Sequence, residues 1–258
     1  MTGVLVVGDL NVDVVAVHRS PLAPGSDTAA RISLRGGGSA ANTACWLAHL
    51  AEPGDGTDEV RLLAARGDDA LGELARADLE HAGVGLIGPV IEGAATGTCI
   101  VLVDAAGERT MLPDRGANDR LPLSAVVVAL DPTPDHVHLS GYAVLHEGSR
   151  SAGQAAVSAG IGAGAVVSVD AASSAPIAAV GAEAFLGWIT GASLLFANDD
   201  ELEALGGVAA VLRHVGAVAV KHGAAGATWT DGGEAISVDG HPVDVVDTTG
   251  AGDAFAAG

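Results

Sequence analysis

VVSVD at residues 166–170 is a short apolar run that ends in an acidic residue, and it decides the fold class because similar runs recur on both sides of it. The others are HVHLS (136–140), SLLFAN (193–198) and VAVK (218–221), with helical stretches between them. Strands that are apolar along their whole length and alternate with helices are typical of a parallel sheet covered on both faces. The pattern therefore predicts an α/β fold of three layers, α/β/α, around a mainly parallel central sheet.

The same alternation continues towards the N-terminus. Residues 4–7 form an apolar run that ends in Gly-Asp, as a buried parallel strand does, and VRLLAA (60–65) is a second predicted strand. The spacing of apolar residues predicts helices over 39–50 and 70–82. These elements extend the predicted sheet to most of the chain.

Two segments do not fit the alternation. Residues 12–18 and 28–34 are extended in character and flank a turn-rich stretch, and residues 98–104 and 108–112 flank a DAAG turn. We expect both pairs to form a small β appendage beside the main sheet. There is no internal repeat and no linker-like segment, so the sequence predicts one domain over residues 1–258.

The charge of the chain excludes several classes of protein. Among 258 residues, 12 Lys and Arg stand against 32 Asp and Glu, a formal net charge of −20. Nucleic-acid phosphates and acidic membrane surfaces both require clustered basic residues, so neither is an expected partner.

The only cysteines, Cys45 and Cys99, form no CxxC pair, and no targeting or membrane-spanning segment is evident. We therefore expect a cytoplasmic protein.

The strongest local signal is DTTGAGDAFAAG at residues 247–258. Gly250, Ala251 and Gly252 have little or no side chain, so their backbone N–H groups can approach a ligand closely. A helix that begins at residue 251 or 252 adds the positive end of its dipole, and the two together favour an anion. Asp253 lies in the first turn of that helix, among those donors. The structural alternative to an anion site is a loop followed by an N-terminal Asp that only complements the helix dipole.

A second signal is GGGSAANTA at residues 36–44. The glycines let the chain pass near a ligand, and Asn42 then presents one acceptor and two donors near a helix start. The structural alternative is a glycine-rich entry into a helix that Ser39 caps.

A third signal is GDLNVD at residues 8–13. Asn11 and Asp13 are two residues apart, so they share one face of an extended chain. Paired polar groups suit the neighbouring hydroxyls of a polyol, and the alternative is an exposed strand edge.

In their order and spacing, these motifs resemble the ribokinase-like (phosphofructokinase-B-type) carbohydrate kinase family. The resemblance covers essentially the whole chain and includes RGDDALG (66–72), residues 96–118, NDDE (198–201) and KHGAAGA (221–227). It implies a ribokinase-like fold whose β appendage, about residues 12–35 and 97–113, forms a lid over the sugar. It also implies that the C-terminal end of the usual family domain is missing after Gly258.

The resemblance further implies roles for individual residues. Asp253 matches the base that takes a proton from the substrate hydroxyl, and the backbone of Gly250, Ala251 and Gly252 matches the anion hole for the transferring phosphoryl group. The positions that match sugar contacts are Asn11, Asp13, Gly37, Gly38 and Asn42.

Nucleotide and metal positions follow in the same way. Those that match are Asn198 and Glu201 (Mg²⁺ and phosphate, through water), Gly223 and Gly226 (a loop facing the nucleotide), and Asp247 and Thr249 (a monovalent cation, K⁺). Lys221 either touches a phosphate or ends a strand in solvent, and both interpretations stay open. Arg109 on the lid either meets an acidic substrate or has a surface role.

These implications lead to one expected function with two alternatives. The expected function is ATP- and Mg²⁺-dependent phosphorylation of a primary hydroxyl of a small sugar or nucleoside, by a chain that pairs as a homodimer through the lid. The alternatives are a catalytically silent sugar- or nucleotide-binding protein and a kinase for a phosphorylated sugar, with Lys221 or Arg109 as its cation.

Two further patterns are given structural interpretations. Residues 160–165 satisfy GxGxxA but precede a strand instead of following one, which argues against a dinucleotide site. His136 and His138 share a strand face without a third ligand nearby, which favours a structural role. There is no GxxxxGK[ST] motif, so the chain is not a P-loop kinase.

Overall fold

The computed structural model of the chain describes residues 2–51, 57–244 and 248–258. Its strands, numbered along the chain, are β1 (Thr2–Val7), β2 (Asn11–His18), β3 (Ala30–Gly37), β4 (Thr57–Leu63), β5 (Arg66–Gly67), β6 (Val84–Ile87), β7 (Val90–Ile91), β8 (Gly97–Val103), β9 (Arg109–Asp114), β10 (His136–Ser140), β11 (Val166–Asp170), β12 (Leu194–Asn198), β13 (Val218–Lys221), β14 (Ala227–Thr230) and β15 (Ala235–Val238).

Helices connect most of these strands. They are α1 (Ser39–Leu50), α2 (Ala70–His81), α3 (Leu123–Ala129), α4 (Tyr142–Leu145), α5 (Glu147–Gly162), α6 (Ser174–Val180), α7 (Ala182–Trp188), α8 (Asp199–Ala204), α9 (Val208–Val211) and α10 (Ala251–Ala257). Two short 3₁₀ helices span Gly116–Arg120 and Gly223–Ala225.

The main sheet has nine strands in the order β15-β14-β13-β12-β11-β10-β1-β4-β6. All its neighbouring pairs are parallel except those that join β14 and β15 to the edge beyond β13. From β1 the chain first builds outward through β4 and β6, and later builds in the other direction from β10. The order therefore reverses between β1 and β10, and ligands of open α/β sheets bind in the crevice outside the carboxyl ends of strands at such a point.

Helices cover both faces of the main sheet. Successive residues of β1 belong to different apolar clusters, because Leu5 and Val7 pack with one cluster and Val4 and Val6 with the other. The second cluster includes α1 and α2, and the first includes α3 to α9. Alternation of buried residues between two cores is what a sheet covered on both sides requires, and it confirms the predicted layers.

A second sheet of four strands stands apart from the first, in the order β3-β2-β8-β9. In it β2 is antiparallel to β3 and parallel to β8, and β8 is antiparallel to β9. These strands lie where the sequence predicts the β appendage. That this sheet acts as a lid, or pairs two copies of the chain, stays a prediction.

Several elements differ from the sequence-based expectation. The strands β14 and β15 form an antiparallel edge that the apolar pattern does not predict, and β6 is a further unpredicted strand at the opposite edge. The described part of the chain contains no helix with the length and hydropathy needed to cross a bilayer.

Candidate active site

A cleft of about 790 Å³ opens at the carboxyl ends of the main-sheet strands and is bounded by residues of the second sheet. It brings together almost all the predicted site residues: Asn11, Asp13, Gly38, Asn42, Asn198, Glu201, Lys221, Gly223, Gly226, Thr249, Gly250, Ala251, Gly252 and Asp253. Gly37 is not among the lining residues. Asp247 lies outside the described residues, so the structure offers no account of the predicted K⁺ site.

The N-terminus of α1 forms one wall of the cleft, and Asp9 organises it. The Asp9 carboxylate accepts hydrogen bonds from the backbone N–H groups of Ser39 and Ala40, each at 3.3 Å. Gly38 precedes the helix with a φ of +97°, a conformation that favours glycine. The interpretation in which Ser39 caps this helix is wrong, because Ser39 is its first residue and its hydroxyl bonds elsewhere.

The partner of that hydroxyl is Asp253. Ser39 Oγ donates to Asp253 Oδ1 at 2.9 Å, and Asn42 Nδ2 donates to Asp253 Oδ2 at 2.9 Å. Burial raises the pKa of Asp253 to about 6, although both hydrogen bonds act to lower it. A half-buried carboxylate with each oxygen fixed by one donor is thus held at the floor of the cleft.

The segment before Asp253 turns sharply into α10. Gly250 has a φ of +73°, and the Ala251 N–H bonds the carbonyl of Thr248 at 3.2 Å. The first N–H groups of a helix lack carbonyl partners within it and can receive an anion. A Cβ placed on Gly252 would lie 3.2 Å from Lys221 Nζ, so this turn lies beside a cationic side chain.

Lys221 is not a strand end in solvent. Its Nζ lies 2.7 Å from Asp170 Oδ2, and the two side chains are only 15% and 8% exposed. Asp170 ends β11, two strands away in the sheet, so the pair joins the carboxyl ends of β11 and β13. The Lys221 ammonium group beside Gly252 is therefore held in place by its ion pair with Asp170.

Asn11 and Asp13 project into the cleft from the start of β2. Asn118, in the Gly116–Arg120 turn, donates to Asn11 Oδ1 at 2.9 Å and also bonds both backbone polar groups of Leu10. Burial, followed by the nearby charge of Asp9, raises the pKa of Asp13 to about 6. A side chain at Gly37 would collide with the Asp13 carboxylate, so Gly37 leaves room for that carboxylate.

Asn198 and Glu201 form a reciprocal cap at the start of α8. Glu201 N–H donates to Asn198 Oδ1, while Asn198 donates to both Glu201 oxygens, from its backbone N–H at 2.8 Å and from Nδ2 at 2.9 Å. Burial raises the pKa of Glu201. Their geometry explains the NxxE spacing by helix capping alone, and the predicted water-mediated contact with Mg²⁺ stays a prediction.

His136, His138 and Arg109 each contact other residues of the protein. His136 and His138 both bond Ser168 Oγ, at 2.7 and 2.9 Å, and the described ranges hold no group of three or more His, Cys, Asp or Glu able to bind a metal. Arg109 Nη1 donates to Thr248 Oγ1 at 2.9 Å and does not line the cleft.

Several cleft residues escaped the sequence analysis as site residues: Asp9, Ser39, Arg115, Tyr142, His146 and Asp170. Asp9 and Asp170 could have been found, because each follows an apolar strand at its carboxyl end. Nothing in the local sequence marks Arg115 or His146.

The sequence of the chain is similar to those of known proteins. The profile of the pfkB family carbohydrate kinases matches residues 1–258. The chain is 38% identical over 267 residues to the ATP-dependent ribose-1-phosphate kinase of Halopiger xanaduensis, covering 100% of this chain and 83% of that protein. It is 32% identical to the ribokinase of Schizosaccharomyces pombe over 132 residues, 49% of this chain and 40% of the relative.

Solved structures share the fold. The adenosine kinase of Sinorhizobium meliloti superposes with a TM-score of 0.84 at 24% identity, covering 100% of this chain and 86% of that one. A ribokinase II of E. coli in complex with ATP and Mg²⁺ gives 0.85 at 22% identity, covering 100% and 84%.

Proposed function

Because the chain belongs to the pfkB family of carbohydrate kinases, we propose that it transfers the γ-phosphoryl group of ATP to a primary hydroxyl of a pentose or pentose phosphate. The observation that carries the proposal is the position of Asp253, whose carboxylate is fixed by Ser39 and Asn42 in the cleft that Asn11 and Asp13 also line. The name of the 38% identical relative supports both the donor and the acceptor.

Asp253 acts in this proposal as the general base. It takes the proton of the acceptor hydroxyl as the oxygen forms its bond to the γ-phosphorus, while the bond to the bridging oxygen breaks and ADP leaves. A pKa of about 6 leaves the carboxylate ionised at neutral pH and makes it a better proton acceptor than an ordinary Asp. The two donors of α1 hold it in place, so little reorganisation is needed.

Charge on the transferring group is balanced by backbone and cation. Phosphoryl transfer depends mainly on positioning and electrostatic stabilisation. The backbone N–H of Gly252 and the Lys221 ammonium lie together next to Asp253 and supply positive charge there.

The acidic residues of the cleft fit Mg²⁺ only as an ion that keeps most of its water. Mg²⁺ is usually held by one or two carboxylates together with phosphates and waters, and Glu201 is the candidate carboxylate. Both its oxygens already accept hydrogen bonds from Asn198, which leaves contact through water as the suitable mode. When bound, Mg²⁺ would neutralise charge on the phosphates.

The acceptor is tested directly with a panel of ribose, ribose-1-phosphate, ribose-5-phosphate and adenosine, with ADP release as readout. Ribose-5-phosphate has no free primary hydroxyl, so we expect no turnover with it. If the folded protein releases ADP with none of the four acceptors, the proposed function is wrong.

The base is tested with Asp253→Asn. We expect kcat to fall by roughly 10²–10⁴-fold, the usual contribution of a general base. Asp200→Asn is the matched control, because Asp200 is also in the first turn of a helix but is exposed and outside the cleft. Full activity of Asp253→Asn would remove Asp253 from the role of base.

A further inference from the structure

The cleft contains an arginine that the proposed transfer does not use. Arg115 follows strand β9 and lines the cleft, and its side chain is only 16% exposed. Its Nε donates to Asp119 Oδ1 at 2.6 Å. Among the described residues this is the only hydrogen bond of the guanidinium, so its two terminal nitrogens remain available to a ligand.

Arg115 lies on the acceptor side of the cleft. It immediately precedes the Gly116–Arg120 turn, and that turn carries Asn118, which fixes Asn11. Lys221, by contrast, ends β13 of the main sheet, and its Nζ lies beside Gly252 in the turn that precedes Asp253. Lys221 is already paired with Asp170. The cleft thus presents separate cations towards the transfer end and towards the acceptor end.

His146 stands beside Arg115. It lines the same cleft, and its ring lies 6.1 Å from that of Tyr142, measured between centroids. Burial lowers the pKa of His146, and the positive charge of Arg115 is the next largest cause. The segment after His146 also packs against the turn after Arg115, because a Cβ at Gly148 would collide with the backbone carbonyl of Asp119. Both side chains thus line the same part of the cleft, where His146 can serve one ligand group as a neutral hydrogen-bonding partner.

The surrounding charge explains what such a pair can do. Asp9, Asp13 and Asp114 also line the cleft, and the chain as a whole carries a net charge of −20. A neutral sugar needs no cation here, whereas a phosphate group placed among these carboxylates would be repelled unless a cation compensated it. Arginine binds phosphate oxygens with two parallel N–H groups, and the Nε contact with Asp119 orients that fork.

We propose that Arg115, with His146 beside it, binds the phosphate group that the acceptor sugar already carries, and so selects a pentose 1-phosphate over the free pentose. This assignment rests on the proposed function, because it places the phosphate opposite the hydroxyl that faces Asp253. It makes Arg115 a residue that determines specificity and leaves the transfer step to other groups.

The kinetic test compares ribose-1-phosphate with ribose in wild type and Arg115→Gln. We expect the KM for ribose-1-phosphate to rise about 10–100-fold, the loss expected for a charge-assisted bidentate contact, while kinetics with ribose change less than about twofold. Arg120→Gln is the matched control, because Arg120 belongs to the same turn but is exposed and does not line the cleft. Equal losses with both acceptors, or an unchanged KM for ribose-1-phosphate, would overturn the assignment.

A second variant separates phosphate binding from a structural role. If Arg115 served only to pin the turn through Asp119, Asp119→Asn would have the same effect as Arg115→Gln. We expect Asp119→Asn to raise the KM for ribose-1-phosphate far less, because the guanidinium charge remains.

Calorimetric titration of ribose-1-phosphate into the protein without ATP gives a readout independent of turnover. Binding to wild type that is lost in Arg115→Gln supports the assignment even if no acceptor is phosphorylated, in which case only the proposed function fails. No binding to wild type, or equal binding to both proteins, contradicts the role of Arg115.

Discussion

Two opposing effects act on the pKa of the Asp253 carboxylate. Its oxygens accept hydrogen bonds from Ser39 and Asn42, which favour the ionised form, yet burial and the charges of Asp170 and Asp9 raise its pKa to about 6. Burial is the largest of these causes. The proposed base is thus ionised at neutral pH while remaining basic enough to take a proton.

The pH dependence of the reaction follows from this pKa. Because only ionised Asp253 can accept a proton, kcat/KM should be constant above about pH 7 and fall below about pH 6. Initial rates between pH 5 and 8 at saturating ATP measure this, with a protein that is folded across the range. A rate that stays constant down to pH 5 would contradict the assigned base.

Asp13 makes a prediction about stability. Its pKa is raised to about 6 from 3.8, so the folded state binds this proton more tightly than the unfolded state, and Asp13 lowers stability as the pH rises from about 4 to 6. We therefore expect Asp13→Asn to increase the Tm relative to wild type above pH 6, with the difference vanishing near pH 4. Thermal unfolding at pH 4 and pH 7 measures both limits, and a lower Tm for the variant at pH 7 would contradict the prediction.

At the scale of elements, the start of α1 connects the main sheet to the site. Gly8, just after β1, allows close packing, because a Cβ there would lie 2.6 Å from the Cβ of Ala40 and 2.8 Å from that of Ser140. Asp9 then caps the helix that carries Ser39 and Asn42. The position of Asp253 therefore depends on how β1 leads into α1.

Removal of this cap should affect both stability and activity. Asp9→Ala leaves two helix N–H groups without their acceptor, which should lower the free energy of unfolding by about 1–2 kcal/mol. It should also lower kcat, because Ser39 and Asn42 then hold Asp253 less firmly. Urea unfolding and initial rates measure the two effects.

Asp9→Asn serves as the control, since its amide oxygen retains one acceptor and should lose less stability. An Asp9→Ala protein as stable as wild type would show that this cap is unimportant.

The sequence predicted the central strands of the main sheet and the strands of the second sheet, but not the edge strands β6, β14 and β15. The strands β10 to β13 are buried on both faces, so their composition marks them. The edge strands β14 and β15 are at most partly buried, and their residues do not distinguish strand from loop. The family and the fold class were confirmed because the motifs and the central strands both belong to the strongly patterned part.

The site was predicted as a set of residues but not as a set of contacts. Asn118 and Asn11 are 107 residues apart, and Lys221 and Asp170 are 51 apart. Local spacing carries no information about such pairs, since only the tertiary fold brings them together. For the same reason, the local sequence around Lys221 fits two interpretations, and the ion pair with Asp170 excludes the one in which its side chain lies in solvent.

For the molecule as a whole, the excess of acidic residues is the dominant electrostatic fact. The net charge of −20 means that like charges repel across the folded surface, and this repulsion weakens when salt screens it. The cations of the cleft, Lys221 and Arg115, each lie next to a carboxylate, Asp170 two strands away for Lys221 and Asp119 four residues along the chain for Arg115.

We therefore expect the protein to become more stable as salt is added. Between 10 mM and 500 mM NaCl the Tm should rise by roughly 2–8 °C, equivalent to about 1–2 kcal/mol for a chain of this size. Choline chloride at equal ionic strength is the control, because it screens charge without offering a small metal cation. A Tm that does not change in either salt would show that surface repulsion is negligible.

The two hydrogen bonds of Asp253 join groups that are 214 and 211 residues apart in the chain. A folding protein can complete either half of its sheet without possessing the proposed base in working position, and contacts this remote are slow to form. Recovery of enzymatic turnover during renaturation should consequently lag behind recovery of secondary structure, which makes catalysis itself the reporter of when α1 and α10 meet.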